Sequence, residues 1–160
     1  MPIDIALRTA APADRELVLD LIRGLYATDH IELVEERARR ALAGLLADPS
    51  LGEVWLIESR SHVIGYAVLT LGYSLEFGGR FWVLDEFFLR DEHRGQGAGR
   101  QALHEIADAA RSRGLHAVRL EVGRTNLRAQ ALYRRAGFEA HDRDLMTLWI
   151  DGIHRIEETA

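Results

Sequence analysis

The chain contains no cysteine and no lysine; its 20 basic residues are all arginine. Without cysteine there can be no disulfide, no thiolate nucleophile and no zinc site built on thiolates, and a reducing, cytoplasmic setting is expected. Without lysine, Schiff-base chemistry and the phosphate-binding lysine of P-loop enzymes are excluded. Long apolar runs are also missing. No stretch approaches the ~20 residues of a membrane span, and no basic segment followed by a long apolar one marks a signal peptide. The formal net charge is -5, with no basic stripe rich in aromatics, which argues against a nucleic-acid partner. An acidic surface of this kind favours cationic partners. The seven histidines are scattered, without an H-E-x-x-H pair or a cluster at ligand spacing, so no metal site is expected.

What is present describes one ordinary α/β domain of 160 residues, 48% hydrophobic, with no repeat or linker. Residues 3–8 alternate as a first strand. Pro12 opens an amphipathic helix with Leu17, Leu21, Ile22 and Leu25 on one face, and a second helix over 31–48 stops at Pro49. Residues 53–60 and 62–74 read as a hairpin turning near Ser61. A glycine-bearing loop then leads into a strand over 81–89. A helix follows from Gly97 to Arg113, stopped by Gly114, then a strand over 116–122 and a helix capped by Asn126 and closed by Gly137. Short strands around 138–140 and 145–150 complete the order β-α-α-β-β-β-α-β-α-β-β, and the tail from Asp151 is expected to be loosely held.

The most informative stretch is "EHRGQGAGRQAL", residues 92–103, where three glycines alternate at the passage from strand to helix. Glycine in either element costs roughly 0.5–1 kcal/mol relative to alanine, so it must serve backbone geometry or a close approach. A helix N-terminus offers unpaired N–H groups and the positive end of the helix dipole. With Gly95, Gly97 and Gly99 removing side chains and Arg94 and Arg100 flanking the turn, the segment reads as a pyrophosphate cradle. "GAGRQA" also satisfies the loose dinucleotide pattern, with Glu121 at a distance suited to a ribose. Against a dinucleotide fold stand the charged "RDEHR" between strand and glycines, the little chain left for a second half-sheet, and the adjacent carboxylates Asp85 and Glu86 on the strand.

The run "FFLRDEHRGQGAGRQAL" resembles the acetyl-CoA-binding motif of the GNAT superfamily of N-acetyltransferases, Arg/Gln-x-x-Gly-x-Gly/Ala, through Arg94, Gly97 and Gly99. "LEVGRTNLRAQALYRRAGFEA" is similar to the family's closing segment, with Asn126, Ala129, Tyr133, Gly137 and Phe138 in register. The resemblance implies the GNAT fold over 1–160 as a single N-acetyltransferase domain, a mixed sheet of six to seven strands with about four helices. It also implies transfer of acetyl from acetyl-CoA directly to a primary amine in a ternary complex. A module that binds acetyl-CoA as a sensor, without turnover, is the alternative. The strand "WVLDEFFL" is closest to polyamine and diamine acetyltransferases and "LEVGRTN" to enzymes acetylating protein N-termini, which leaves the acceptor open. A homodimer is implied as well, since many relatives dimerise and "LMTLWI" offers an apolar edge.

By the same resemblance, the pantetheine arm lies along Phe87, Phe88 and Leu89. The pyrophosphate sits on Arg94, Gly95, Gln96, Gly97, Ala98, Gly99 and Arg100, and Asn126, Ala129 and Tyr133 complete the cofactor site. Tyr133 is implied as the acid that protonates the departing thiolate. The attacking amine must first lose a proton, and Asp85, Glu86 and Glu121 are the candidate bases. Alternation along a strand sends Asp85 and Glu86 to opposite faces unless a bulge intervenes. Tyr26, Tyr73 and Glu76 are expected to shape the acceptor pocket.

Overall fold

The computed structural model describes residues 3–151, so the tail expected to be loosely held, beyond Asp151, lies outside them. Strands β1 (Ala6–Thr9), β2 (Gly52–Ser59), β3 (His62–Ser74), β4 (Gly79–Leu89) and β5 (Val118–Arg119) form one sheet in sequence order. The first four run antiparallel, and β5 lies parallel to β4. Helices α1 (Arg15–Thr28) and α2 (Glu35–Ala47) precede β2; α3 (Ala98–Ser112) crosses from β4 to β5, and α4 (Leu127–Arg135) follows. This is the kind of mixed sheet flanked by helices that the resemblance implies. Among the described residues no helix is long and apolar enough to cross a membrane.

Because β3 and β4 are apolar on both faces, the sheet buries both. On one face Val18, Leu21 and Ile22 of α1 and Leu42 of α2 pack against Val54, Leu56, Tyr66, Val68 and Phe88. On the other, Leu103, Ile106 and Ala110 of α3 pack against Trp55, Ala67, Leu69, Trp82 and Leu84, with Leu132 and Tyr133 of α4 alongside. An amphipathic helix on each side is what a two-faced apolar sheet requires.

Three expected strands differ. The predicted strand over 116–122 pairs only at Val118 and Arg119, and residues 138–150 form no ladder at all. In the latter segment Leu145, Met146, Leu148 and Ile150 are exposed, so its apolar pattern has no sheet face to bury against among the described residues.

Candidate active site

A bulge in β4 organises the site. In the β3–β4 register Val68 pairs with Glu86 and Leu69 with Leu84, so Asp85 has no partner on β3. One extra residue reverses the alternation of every residue beyond it. Trp82 and Leu84 therefore face α3, whereas Glu86 and Phe88 face α1. The Tyr66 hydroxyl, across on β3, donates to Glu86 Oε1 at 2.9 Å. Tyr26, late in α1, brings a second hydroxyl to the same carboxylate, although Tyr66 alone makes a bond of regular geometry.

Burial is the main influence on Glu86, pushing its carboxyl above the usual range, with Asp85 and Asp29 acting in the same direction and the two tyrosine hydroxyls opposing. Asp85 reaches solvent, yet the protein crowded around it raises its carboxyl too. Asp29, just beyond α1, is raised by desolvation, with Arg94 pulling the other way. Burial and the Glu86 charge hold both Tyr26 and Tyr66 firmly protonated.

The other side of the site is an opening in the sheet. β5 pairs with β4 only at Trp82 and Val83, so the same edge of β4 from Asp85 to Leu89 has no neighbouring strand among the described residues. Phe87, Phe88 and Leu89 lie along this stretch. Tyr133 closes it from α4, its ring 6.5 Å from that of Phe87 and 5.8 Å from that of Phe138. Burial, with a further push from the Asp29 carboxylate, raises the Tyr133 hydroxyl to about 12. Asp29 comes from the α1 side and Tyr133 from the α4 side, so this hydroxyl sits where the two layers meet.

At the end of β4 the chain makes a short 3-10 turn, Asp91–His93, and reaches α3 through two left-handed residues, Gly95 (φ 73°) and Gly97 (φ 87°). A Cβ at either would meet no atom within 4 Å, so glycine is required there by backbone angle. Gly99 is different: its φ is ordinary, and a Cβ would press within 3.3 Å of Leu132 and 3.4 Å of Leu89. The backbone N–H groups of residues 95–100 find no acceptor among the described residues. That leaves an array of donors at the start of a 15-residue helix, which fits a pyrophosphate. The edge of β4 that leads into this array fits an extended amide-bearing arm. Arg94 is held by structure: Nε donates to the Leu89 carbonyl at 2.9 Å, and the guanidinium pairs with Asp91 at 3.0 Å. Gln96 Nε2 donates to the Glu92 carbonyl, and Arg100 is exposed.

The remaining sequence candidates separate. Asn126 caps α4, its Oδ1 accepting from the Ala129 N–H at 3.2 Å. Glu121 is exposed beyond β5 and has no hydrogen bond or ion pair with Asp85, Glu86 or the tyrosines. Tyr73 stands five residues along β3 from Val68, the partner of Glu86, and thus about 17 Å away at 3.3 Å per residue. Glu76, at the β3–β4 turn, pairs with Arg143 at 3.1 Å. The structure brings Tyr26, Asp85 and Glu86 together and leaves Glu121, Tyr73 and Glu76 outside that group. It adds Tyr66 and Asp29, which sequence reasoning missed. A tyrosine within the apolar run "VIGYAVL" was the signal for Tyr66, since a buried hydroxyl needs a partner.

The profile of the acetyltransferase (GNAT) family matches residues 19–138. The chain is 29% identical to a thialysine N-epsilon-acetyltransferase of Bos taurus, over 83% of each chain. It is 34% identical to an L-methionine sulfoximine/L-methionine sulfone acetyltransferase of Pseudomonas aeruginosa, over 66% of this chain and 55% of that one. A solved integron cassette protein from the mobile metagenome of Cole Harbour Salt Marsh superposes with a TM-score of 0.79, at 35% identity and 90% coverage of each chain.

Proposed function

This chain belongs to the acetyltransferase (GNAT) family and is an acetyl-CoA-dependent N-acetyltransferase, and we propose that it acetylates the primary amine of a small amino-acid-like acceptor, with Glu86 as general base and Tyr133 as general acid. The observation that carries the assignment of roles is the bulge at Asp85, which turns Glu86 toward α1 beside an unpaired edge of β4. Two relatives named for small amino-acid-type substrates support the acceptor class. So do the carboxylates of Asp29, Asp85 and Glu86, which favour an ammonium over an anion.

Bound acetyl-CoA supplies the acetyl group as a thioester. The donor array of residues 95–100 would hold its pyrophosphate, and Phe87 to Leu89 its arm. Glu86 takes the proton that keeps the acceptor an ammonium; its raised affinity for protons makes it a stronger base than an exposed glutamate. The freed nitrogen forms the new bond to the acetyl carbon, and both groups are held at once, so no acyl-enzyme is needed. As the carbon–sulfur bond breaks, Tyr133 gives its proton to the sulfur; a hydroxyl raised to about 12 is fully protonated at neutral pH and available for this. The second proton of the nitrogen leaves to solvent.

The same reading makes the enzyme a cytoplasmic one, in keeping with a chain without cysteine, and a single N-acetyltransferase domain that forms a homodimer. Support for the dimer comes from the exposed apolar Leu145, Met146, Leu148 and Ile150 and from a sheet whose last described strand, β5, has only two residues; light scattering at twice the monomer mass checks it. The function itself is tested by thiol release from acetyl-CoA across a panel of amines containing thialysine, L-methionine sulfone, spermidine and a peptide N-terminus. Turnover confined to the small amino-acid amines is expected. CoA binding by calorimetry without turnover of any amine would favour a sensor.

A further inference from the structure

We propose that Tyr66 is a positioning residue for this reaction, its buried hydroxyl holding the Glu86 carboxylate in place and in its ionised form. The inference rests on the reading of Glu86 as the base. Tyr66 and Glu86 are diagonal neighbours on one face of the β3–β4 pair, since Tyr66 pairs with Phe88 and Glu86 with Val68. They meet only because the bulge at Asp85 has turned Glu86 to that face.

Tyr66 is 0% exposed and sits among Val18, Leu21, Leu56 and Phe88. A phenylalanine would fill this space without a polar atom to satisfy. The hydroxyl instead points at a carboxylate, which is a demanding partner to bring into an apolar layer. Four groups face Glu86: Tyr26 from α1, Asp29 just beyond it, Tyr66 from β3 and Asp85 from β4 itself. Asp29, Asp85 and burial all favour the protonated acid, which cannot accept a proton from the amine. Only the two hydroxyls favour the ionised form, and both remain protonated donors. Tyr66 is the one fixed on a strand, at 2.9 Å, and fully shielded from water. It therefore determines both the direction in which the carboxylate points and the pH at which it becomes a base.

The test is a carbon-13 NMR titration of glutamate-labelled protein, with the Glu86 resonance identified by its loss in Glu86→Gln. It is run beside the pH profile of kcat/KM on thialysine, or on L-methionine sulfone where that is the amine turned over. Removing the donor in Tyr66→Phe disfavours the carboxylate, so the Glu86 midpoint and the acidic limb of the profile should rise together by about one pH unit. A midpoint and limb that stay where they are in folded Tyr66→Phe overturn the proposal. Should Tyr66→Phe not fold, 3-fluorotyrosine placed at 66, a stronger donor of the same shape, must move both the other way, and an unmoved midpoint there overturns it equally. Failure of the underlying reading looks different: Glu86→Gln would then retain the acidic limb and the rate, whatever Tyr66 does.

Discussion

The rings of Tyr133 and Phe87 lie 6.5 Å apart, so the contact that anchors α4 to the sheet also places a phenol hydroxyl at the unpaired edge of β4. Packing and chemistry can therefore be separated by one atom. Tyr133→Phe keeps both ring contacts, with Phe87 and Phe138, and removes only the proton donor. It should lower kcat at least tenfold while CoA affinity by calorimetry and the melting temperature stay near wild type.

Glu86 should leave a mark on stability as well as on rate. Its acidity in the folded state is weakened by burial, so its protonated form is the one the fold favours. That contribution is complete below the pKa of the unfolded chain, near 4.3, and is lost as pH rises through the higher folded value. At about pH 8 the fold carries a buried carboxylate that it would rather not hold. Glu86→Gln, whose amide oxygen still accepts from Tyr66, should then melt a few degrees above wild type at that pH. The difference should vanish below about pH 4, and differential scanning fluorimetry across pH reads both ends.

Gly97 enters α3 at φ 87°, with open space where a Cβ would stand. Gly97→Ala therefore acts through backbone strain, at about 1 kcal/mol, and tilts the donors of the first turn. We expect the Kd for CoA to rise at least fivefold by calorimetry with the sheet intact.

Arg113 serves as a control far from this chemistry. Its guanidinium lies 4.9 Å from the Trp82 ring and 5.7 Å from the Trp55 ring and pairs with Glu53. Arg113→Ala should cost about 1–2 kcal/mol, seen as a drop of roughly 3 °C in melting temperature. kcat/KM on the preferred amine should be unchanged.

The parts of this site that follow from local backbone rules were readable in the sequence. Gly95 and Gly97 mark left-handed positions at a strand-to-helix passage, and Asn126 marks a helix cap; each depends on a few neighbouring residues. Strand β3 spans 62–74, the residues read as the second arm of a hairpin turning near Ser61, for the same reason. Which of Asp85 and Glu86 turns toward α1 was not readable, because a bulge is a property of two strands in register. Asp29 comes near Glu86 through packing of α1 on the sheet and Tyr66 through the bulged β3–β4 register, neither of which any spacing along the chain encodes. Tyr73 and Glu76 are close to the site only along the chain; the strand carries them to its far end. The apolar pattern of 145–150 was read as a strand because alternation does not tell whether a partner edge exists.

The most direct measurement is the rate of thiol release from acetyl-CoA by wild type and Glu86→Gln with thialysine, from about pH 6 to about pH 10. With Glu86 as the base, Glu86→Gln is slowed about a hundredfold near neutral pH. Its rate partly recovers at high pH, where the amine loses its proton without help. Equal rates near neutral pH, or a deficit that does not shrink as pH rises, would contradict a base at Glu86.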